Sequence, residues 1–405
     1  MRSIKEFLLN IPIAGEAWGQ LRSRQLHKDY EKRRERYHEL AAGRGLKYTL
    51  YKTTELAKDR LYKRGYVPRE KKLGEIHTFA FIPRHPLSPS LIPDLHDLGP
   101  TTVFDYLEKG VSWGQLSNDD GRLRLQMNNV ALDEFRKANA TNPIDWVMIY
   151  GNGAEVDRNF IETIQSEFGV PVVVLCLDDK QSWEGKKIGN QYSGQVSLAA
   201  LPDLSWTSSL LTCEWYLCEG GIPIHMPQGF DYRVFYPRGN VLKDIEVSFV
   251  GGGYGFRKSV IGYLRKHKMN VQTFGYGWSG NSWIKDQVEI FSRSRINLGM
   301  SGIGYSEWLS NIKGRDFEIT GTGGGVYLTS FNPDLAKFFE VGKEIICYRS
   351  RDELLELIRY YLQHDDEARQ ISKLGRIRCL REHRFIHRYL CLLRILGIVS
   401  NEQKT

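Results

Sequence analysis

From about Gly74 onward, short apolar runs alternate with longer amphipathic ones. Ile76–Ile82 (IHTFAFI), Trp146–Tyr150 (WVMIY) and Val170–Leu177 (VPVVVLCL) are rich in β-branched and aromatic residues and are too continuously apolar for edge strands. Runs of this kind predict strands buried on both faces, that is, a parallel sheet covered by helices. Ser208–Glu219 reads as a helix closed by Gly220-Gly221. Ile222–Met226 then enters PQGFDYRVFYP, whose prolines, glycine and aromatics predict a hinge.

A second alternating series follows. Strands are predicted at Ile245–Gly251, Val271–Gly275, Ile296–Met300, Val326–Thr329 and Ile345–Cys347, with helices around Arg257–His267, Trp283–Ser292, Phe317–Thr320 and Pro333–Phe339. Asn332-Pro333 pairs a cap residue with proline at a first helical position, and Ser350 to Glu353 has capping-box spacing before LLELIRYYL. The expected fold class is α/β: two doubly wound, Rossmann-like domains with a helical extension in front. The expected boundaries are 1–73 for the extension, 74–235 and 236–375 for the domains, and 376–405 for helices with no strand after them.

In the extension, Trp18, Leu21, Leu26, Tyr30, Tyr37, Leu40 and Ala41 recur at helical spacing, with Arg22, Arg24, Lys28, Arg33, Arg34 and Arg36 largely on other faces. Charge sharpens this picture. Residues 1–75 hold 19 Lys/Arg against 10 Asp/Glu, whereas the remaining residues hold 37 against 38, so the whole excess of the net +8 lies in front. A solvated helix packed by its apolar stripe, a basic face resting on an anionic membrane, and a nucleic-acid arm all fit this pattern. The last is disfavoured, because there is no zinc finger or RRM-type motif and no positive surplus beyond residue 75.

At 405 residues, two cores are the default. The six cysteines form no CxxC pair and mostly sit in apolar runs, which points to buried thiols in a reducing compartment. The opening MRSIKEFLLNIPIAGEAW lacks the clean apolar stretch of a signal peptide, and no run approaches the ~20 apolar residues of a spanning helix. The expected location is cytoplasmic, with residues 1–45 suited to the inner face of a membrane.

Ligands of doubly wound sheets bind beyond the carboxyl ends of the strands. After Ile245–Val250 comes Gly251-Gly252-Gly253-Tyr254-Gly255-Phe256-Arg257-Lys258, a glycine loop running into a helix whose free N–H groups suit an anion. Tyr276-Gly277-Trp278 offers aromatic surface to a flat ring. In KGRDFEITGTGGGVYLTS (313–330), Lys313 and Arg315 precede the expected helix at Phe317, and Glu318 lies just inside it. Beside two cations Glu318 is expected to be ionised, and a carboxylate accepts the two hydrogen bonds that a ribose diol donates. Gly321, Gly323, Gly324 and Gly325 are expected to make room for the ligand. A Glu318–Arg315 surface pair with a glycine helix stop is the plainer alternative.

Several of these segments, in this order, resemble the C-terminal half of group 1 glycosyltransferases, above all those grouped with the spore maturation protein CgeB: FVGGGYGFRK, VQTFGYGW, SRINLG, the run from Lys313 to Leu362, and GRIRCLREHRFIHRYLCLLRIL. CLDDKQSW, LPDLSWTSS and IPIHMPQGFDYRVFYP in the first domain are similar to the same group. The resemblance spans roughly Asp145 to Leu396. It implies a GT-B fold with the two domains facing across a cleft, a nucleotide-sugar donor held mainly by the second domain and the acceptor by the first, and final helices crossing back to the first. Glu318 matches the family glutamate on the donor ribose, and Arg257 the basic residue near the diphosphate. The family's second glutamate, eight residues earlier, is Ser310 here, and Glu307 is out of register.

The donor-binding candidates are therefore Gly252, Gly253, Arg257, Lys258, Tyr276, Lys313, Arg315, Glu318, Gly323 and Gly324. Cations and helix ends can stabilise a leaving diphosphate without a metal, so no metal or cofactor is expected beyond a UDP-, GDP- or similar nucleotide-sugar. An inverting transferase also needs a general base. Asp178 and Asp179 end the apolar run Val170–Leu177, where paired carboxylates can raise one another's pKa, although a turn or helix cap is the plainer explanation; His225 and His85 are weaker candidates. His383 and His387 have metal-ligand spacing but lack the glutamate of HExxH, and no DxD occurs. An epimerase on the same scaffold and a silent nucleotide-sugar-binding protein remain as alternatives to a transferase.

Overall fold

The computed structural model describes residues 12–83, 90–239, 241–278, 286–307 and 309–400. His85 and the expected helix start at Trp283 lie outside these residues. The chain forms two units: Glu35–Asp231 with the chain from Arg384 on, and the chain up to Arg34 with Tyr232–His383.

The first unit is built on β1 (Thr78–Phe81), β2 (Thr101–Phe104), β3 (Trp146–Tyr150), β4 (Val172–Cys176), a small β5–β6 hairpin (Lys187–Ile188, Gln191–Tyr192), β7 (Leu204–Thr207) and β8 (Pro223–His225). The main sheet is parallel throughout, in the order β2-β1-β3-β4-β7-β8. Both its faces are buried, which explains the absence of alternation in its strands. Phe79, Phe81, Val147, Ile149, Val172 and Val174 pack with Phe135, Phe160 and Ile164 on one side. Trp146, Met148, Val173, Leu175 and Trp206 pack with Phe385, Tyr389 and Leu393 on the other.

That second face is covered in part by the helix Phe385–Ile395, so the chain returns to the first unit at its end. Buried Asp94 accepts the Ile386 N–H at 2.7 Å, and the Tyr389 hydroxyl donates to the Leu91 carbonyl at 2.6 Å. The break falls between His383 and Arg384 rather than at 375. The helix Asp365–Glu382 stays with the second unit, anchored by Ser372 on the Gly325 carbonyl and by the close fit of Gly375 against Glu344.

The second unit contains β9 (Ile245–Val250), β10 (Val271–Phe274), β11 (Ser294–Leu298), β12 (Val326–Ser330) and β13 (Ile346–Tyr348), all parallel, in the order β10-β9-β11-β12-β13. Successive crossovers leave β9 in opposite directions, so the strand order reverses between β9 and β11. A crevice beyond the carboxyl ends of those two strands is where such sheets take ligands. Its core is Val247, Phe249, Ile296, Leu298 and Leu328 packed against Val260, Ile261, Leu264, Leu354 and Ile358. Full burial of each such side chain contributes ~1.5–3 kcal/mol.

The helix expected from Phe317 begins earlier, spanning Gly314–Thr322. Asp316 sets its start by accepting the Lys313 N–H at 2.7 Å and the Tyr327 hydroxyl at 2.6 Å. Arg315 is thereby inside the first turn, and Glu318 is one turn in.

Candidate functional site

The glycine loop leaves β9 at the reversal point and is folded onto the loop that follows β11. Gly255 has φ +61, and a β-carbon there would stand 1.8 Å from the Gly304 carbonyl oxygen. Only glycine fits so close an approach in that conformation. The Phe256 N–H points to the same oxygen at 3.4 Å. Gly253 donates to the Tyr276 carbonyl at 2.6 Å and lies against the Trp278 ring, whose Nε1 donates to the Gly251 carbonyl at 2.7 Å. Gly252 sits next to the Tyr254 ring and gives its carbonyl to Arg257. The three loops beyond β9, β10 and β11 thus form one continuous rim.

Two arginines converge on it. Arg257, the first residue of helix Arg257–Lys266, is 3% exposed; its Nη1 donates to the Gly252 carbonyl at 3.1 Å, and its guanidinium lies 4.4 Å from the Tyr254 ring centre. Its buried Nε has no hydrogen-bond partner among the described residues. Arg315 reaches across from helix Gly314–Thr322, its Nη1 donating to the Val250 carbonyl at 2.5 Å. A β-carbon on Gly251 would stand 2.1 Å from that same nitrogen, so glycine is what admits Arg315 to the end of β9. Burial, and then the neighbouring Arg315 charge, push the Arg257 pKa down to about 10, which still leaves it charged at neutral pH. Among the described residues neither guanidinium has a carboxylate within ion-pair distance. Two helix N-termini and two unneutralised arginines at one strand end make a strongly anion-attracting position.

Glu318 is 9% exposed, and its carboxylate has no hydrogen-bond partner among the described residues. The plainer alternative, a surface pair with Arg315, is not formed. The expectation that Glu318 is fully ionised is also corrected. Burial pushes its carboxyl up to about 7, outweighing the downward pull of Arg315, and Asp316 adds to the rise.

The other candidates are less enclosed or lie at the opposite edge of the sheet. Lys258 is exposed on its helix. Lys313 caps helix Gly314–Thr322 and is partly exposed, and Tyr276 is 60% exposed beyond β10. Gly323 and Gly324 lie at the far end of helix Gly314–Thr322, leading into the amino end of β12. There a β-carbon on Gly323 would meet Arg376 at 2.8 Å and one on Gly324 the Phe291 carbonyl at 2.6 Å. A helix antiparallel to its strands carries its two ends to opposite edges of the sheet, so these glycines serve helix–strand packing, not ligand access. Ser310 accepts from Asn332 at 3.1 Å, and Glu307 is engaged by Arg351.

In the first unit, Asp178 is exposed after β4, while Asp179 is fully buried. Asp179 accepts from the Lys180 N–H (2.8 Å), the Thr212 hydroxyl (3.0 Å) and the Tyr216 hydroxyl (3.4 Å). Burial pushes its carboxyl up to about 6, against the pull of these donors; the adjacent aspartate is not the cause. As placed, Asp179 is closed off from any acceptor hydroxyl. His225 ends β8 and donates its backbone N–H to the Tyr48 hydroxyl at 2.9 Å. His383 bonds the Phe338 carbonyl (3.0 Å) and His387 accepts the Arg384 N–H (3.2 Å), the first capping helix Asp365–Glu382 and the second lying in helix Phe385–Ile395.

Tyr254 beneath Arg257 and Asp316 behind the helix start were not singled out from the sequence. Their signals were the aromatic between Gly253 and Gly255 and an acid three residues after Lys313.

The architecture is that of the GT-B class, with two Rossmann-like domains. Among solved structures the chain is similar to the N-terminal domain of Candida albicans trehalose-6-phosphate phosphatase, with a TM-score of 0.57, 10% identity, and coverage of 82% of this chain and 99% of that one. It is also similar to Anabaena Alr3699/HepE in complex with UDP and glucose, with a TM-score of 0.50, 10% identity, and coverage of 79% and 99%. At these identities the likeness is one of fold. Residues 257–394, which begin at the buried arginine of the rim, match the family described as Glycosyl transferase-like. No curated protein matches the chain.

Proposed function

We propose that the chain is a nucleotide-sugar-dependent glycosyltransferase, in the CgeB-like group, moving a sugar from a UDP- or GDP-type donor to a hydroxyl of a glycan, lipid-linked or protein acceptor without a metal. The observation that carries this reading is the pair Arg257 and Arg315, with no carboxylate in ion-pair distance among the described residues, at the strand-order reversal of the second sheet. In transfer the sugar–phosphate C–O bond breaks, a new C–O bond forms to the acceptor, and the acceptor's proton leaves. The negative charge that grows on the departing diphosphate is met by fixed guanidinium groups and helix N-termini. Glu318, one turn in from Arg315, takes the ribose hydroxyls, and Tyr276 supplies a face for the base. Of the described residues that could remove the proton, Asp178 is the exposed one. That Alr3699/HepE was solved with UDP and glucose supports the donor class.

Thermal shift of the full chain with UDP, GDP, ADP and CDP tests the reading. A ligand at about 100 times its Kd adds ~2.7 kcal/mol of apparent stability, enough for a shift of several degrees. The matching nucleotide-sugar should then release nucleotide only when an acceptor is present, whereas an epimerase would alter the sugar without one. No shift with any nucleotide overturns the proposal.

We also propose an anionic membrane surface as a partner of the basic extension. In helix Pro12–Gly43, Arg22, Arg24, Lys28 and Lys32 are all exposed. No helix among the described residues is long and apolar enough to cross a membrane. The chain should co-sediment with phosphatidylserine-containing vesicles and be released by salt. Equal binding to neutral phosphatidylcholine vesicles would exclude this.

A further inference from the structure

Residues 12–34 belong to the second unit, and Gly19 and Leu26 meet the rim described above. Gly19, Leu26 and Tyr30 share one stripe of helix Pro12–Gly43, at the i, i+7, i+11 spacing of a single helix face. Gly19 lies under Tyr305: a β-carbon there would stand 3.0 Å from the ring's Cδ1. Leu26 Cδ2 is 3.8 Å from where a side chain on Gly304 would begin. Tyr30 is half-buried and close enough to Asp334, in the loop after β12, to feel its charge; burial first, then Glu31 and Asp334, push its hydroxyl up to about 12. The helix therefore rests on the loop beyond β11. Gly304 is in turn the residue on which Gly255 and Phe256 pack, one step before Arg257.

We infer that residues 19–30 are a positioning element for the donor site, holding the Gly302–Tyr305 loop against the Gly251–Arg257 loop so that both arginines are set before a ligand arrives. The inference rests on the reading of that rim as the donor site. None of these residues touches the nucleotide; they act through Gly304. If the set arrangement is occupied only about a tenth of the time once the helix is dislodged, apparent affinity falls about tenfold.

The test uses the full chain carrying Leu26→Asp, Leu26→Met or Tyr305→Ala, the last being a separate way to loosen the same contact should Leu26→Asp misfold. Amide exchange without ligand should quicken about tenfold at Phe256 and Ser306 in the Asp and Ala variants and stay at the parent rate in the Met variant. Affinity for UDP or GDP, whichever binds the parent, should weaken about tenfold in the same two variants and be kept in Leu26→Met. Reciprocally, saturating nucleotide should slow exchange across residues 19–30 in the parent, which simple packing would not produce. Faster exchange in residues 19–30 with no change at Phe256 overturns the inference. A parent chain that binds no nucleotide overturns the donor reading alone, and the exchange arm then still decides the positioning claim.

Discussion

An Arg315→Ala chain should bind its nucleotide diphosphate about thirtyfold more weakly than the parent, and Arg257→Ala should do the same, since a charge-assisted contact to phosphate is worth ~1.5–3 kcal/mol. The reasoning is electrostatic. Burial and Arg315 together depress the Arg257 pKa, so the pair is held together at the expense of its own repulsion. Each arginine is tied down by a carbonyl, Arg257 by Gly252 and Arg315 by Val250, and among the described residues neither is paired with an acid. A diphosphate removes the repulsion, which makes binding and the unliganded fold pull in opposite directions. Arg315→Ala should therefore lose affinity while keeping its melting temperature, the reverse of what loss of a structural salt bridge produces. Arg315→Lys should recover only part of the affinity, because an ammonium lacks the planar fork that bonds the Val250 carbonyl and a phosphate together. Lys258→Ala, on the exposed side of the neighbouring helix, should stay within about twofold of the parent, as surface charges do. Isothermal titration of the four variants decides the matter. Parent-like affinity in both alanine variants would mean that the anion site is not used.

Strand identity was legible because burial on both faces leaves a continuous apolar run. Trp146–Tyr150 forms β3 with the expected ends, and the predicted Val170–Leu177 contains β4 at Val172–Cys176. Arg257 and Glu318 were singled out as candidates by the order of the segments around them. What the sequence hid depends on contacts between distant residues. Whether Glu318 is charged depends on burial, which no local pattern around it records. The run Gly323–Gly325 reads as a ligand cradle until the direction of helix Gly314–Thr322 places it at the other edge of the sheet. The stripe Leu26, Tyr30, Tyr37 predicts that the first helix packs on something, but not on what. Its partners up to Arg34 lie near Gly304, whereas Tyr37 packs with Trp183 and Trp215 of the first unit. A single helical stripe carries no mark of where its partner changes.

Glu318→Gln should weaken nucleotide binding about tenfold at pH 8 and yet make the chain more resistant to denaturant at that pH. The two effects share one cause. Burial raises the Glu318 carboxyl to about 7 in the folded chain, against 4.5 for an ordinary glutamate. A group whose pKa is raised by folding favours the fold in its protonated form; that contribution is whole below about pH 4.5 and is lost as pH rises through about 7. A neutral glutamine escapes this loss, so its advantage in denaturant midpoint should be near zero at pH 5 and clear at pH 8. Binding runs the other way, because only the ionised carboxylate accepts from both ribose hydroxyls. At pH 6 about a tenth of the parent is ionised, so its affinity should approach that of the glutamine variant. Free nucleotide diphosphates titrate near the same pH, as phosphate monoesters do at about 6, so the quantity to read is the ratio of parent to variant affinity. That ratio should fall from about ten at pH 8 toward one at pH 6. A ratio that stays constant across this range, or a variant no more stable than the parent at pH 8, would show that Glu318 is not an uncompensated carboxylate waiting for a ligand.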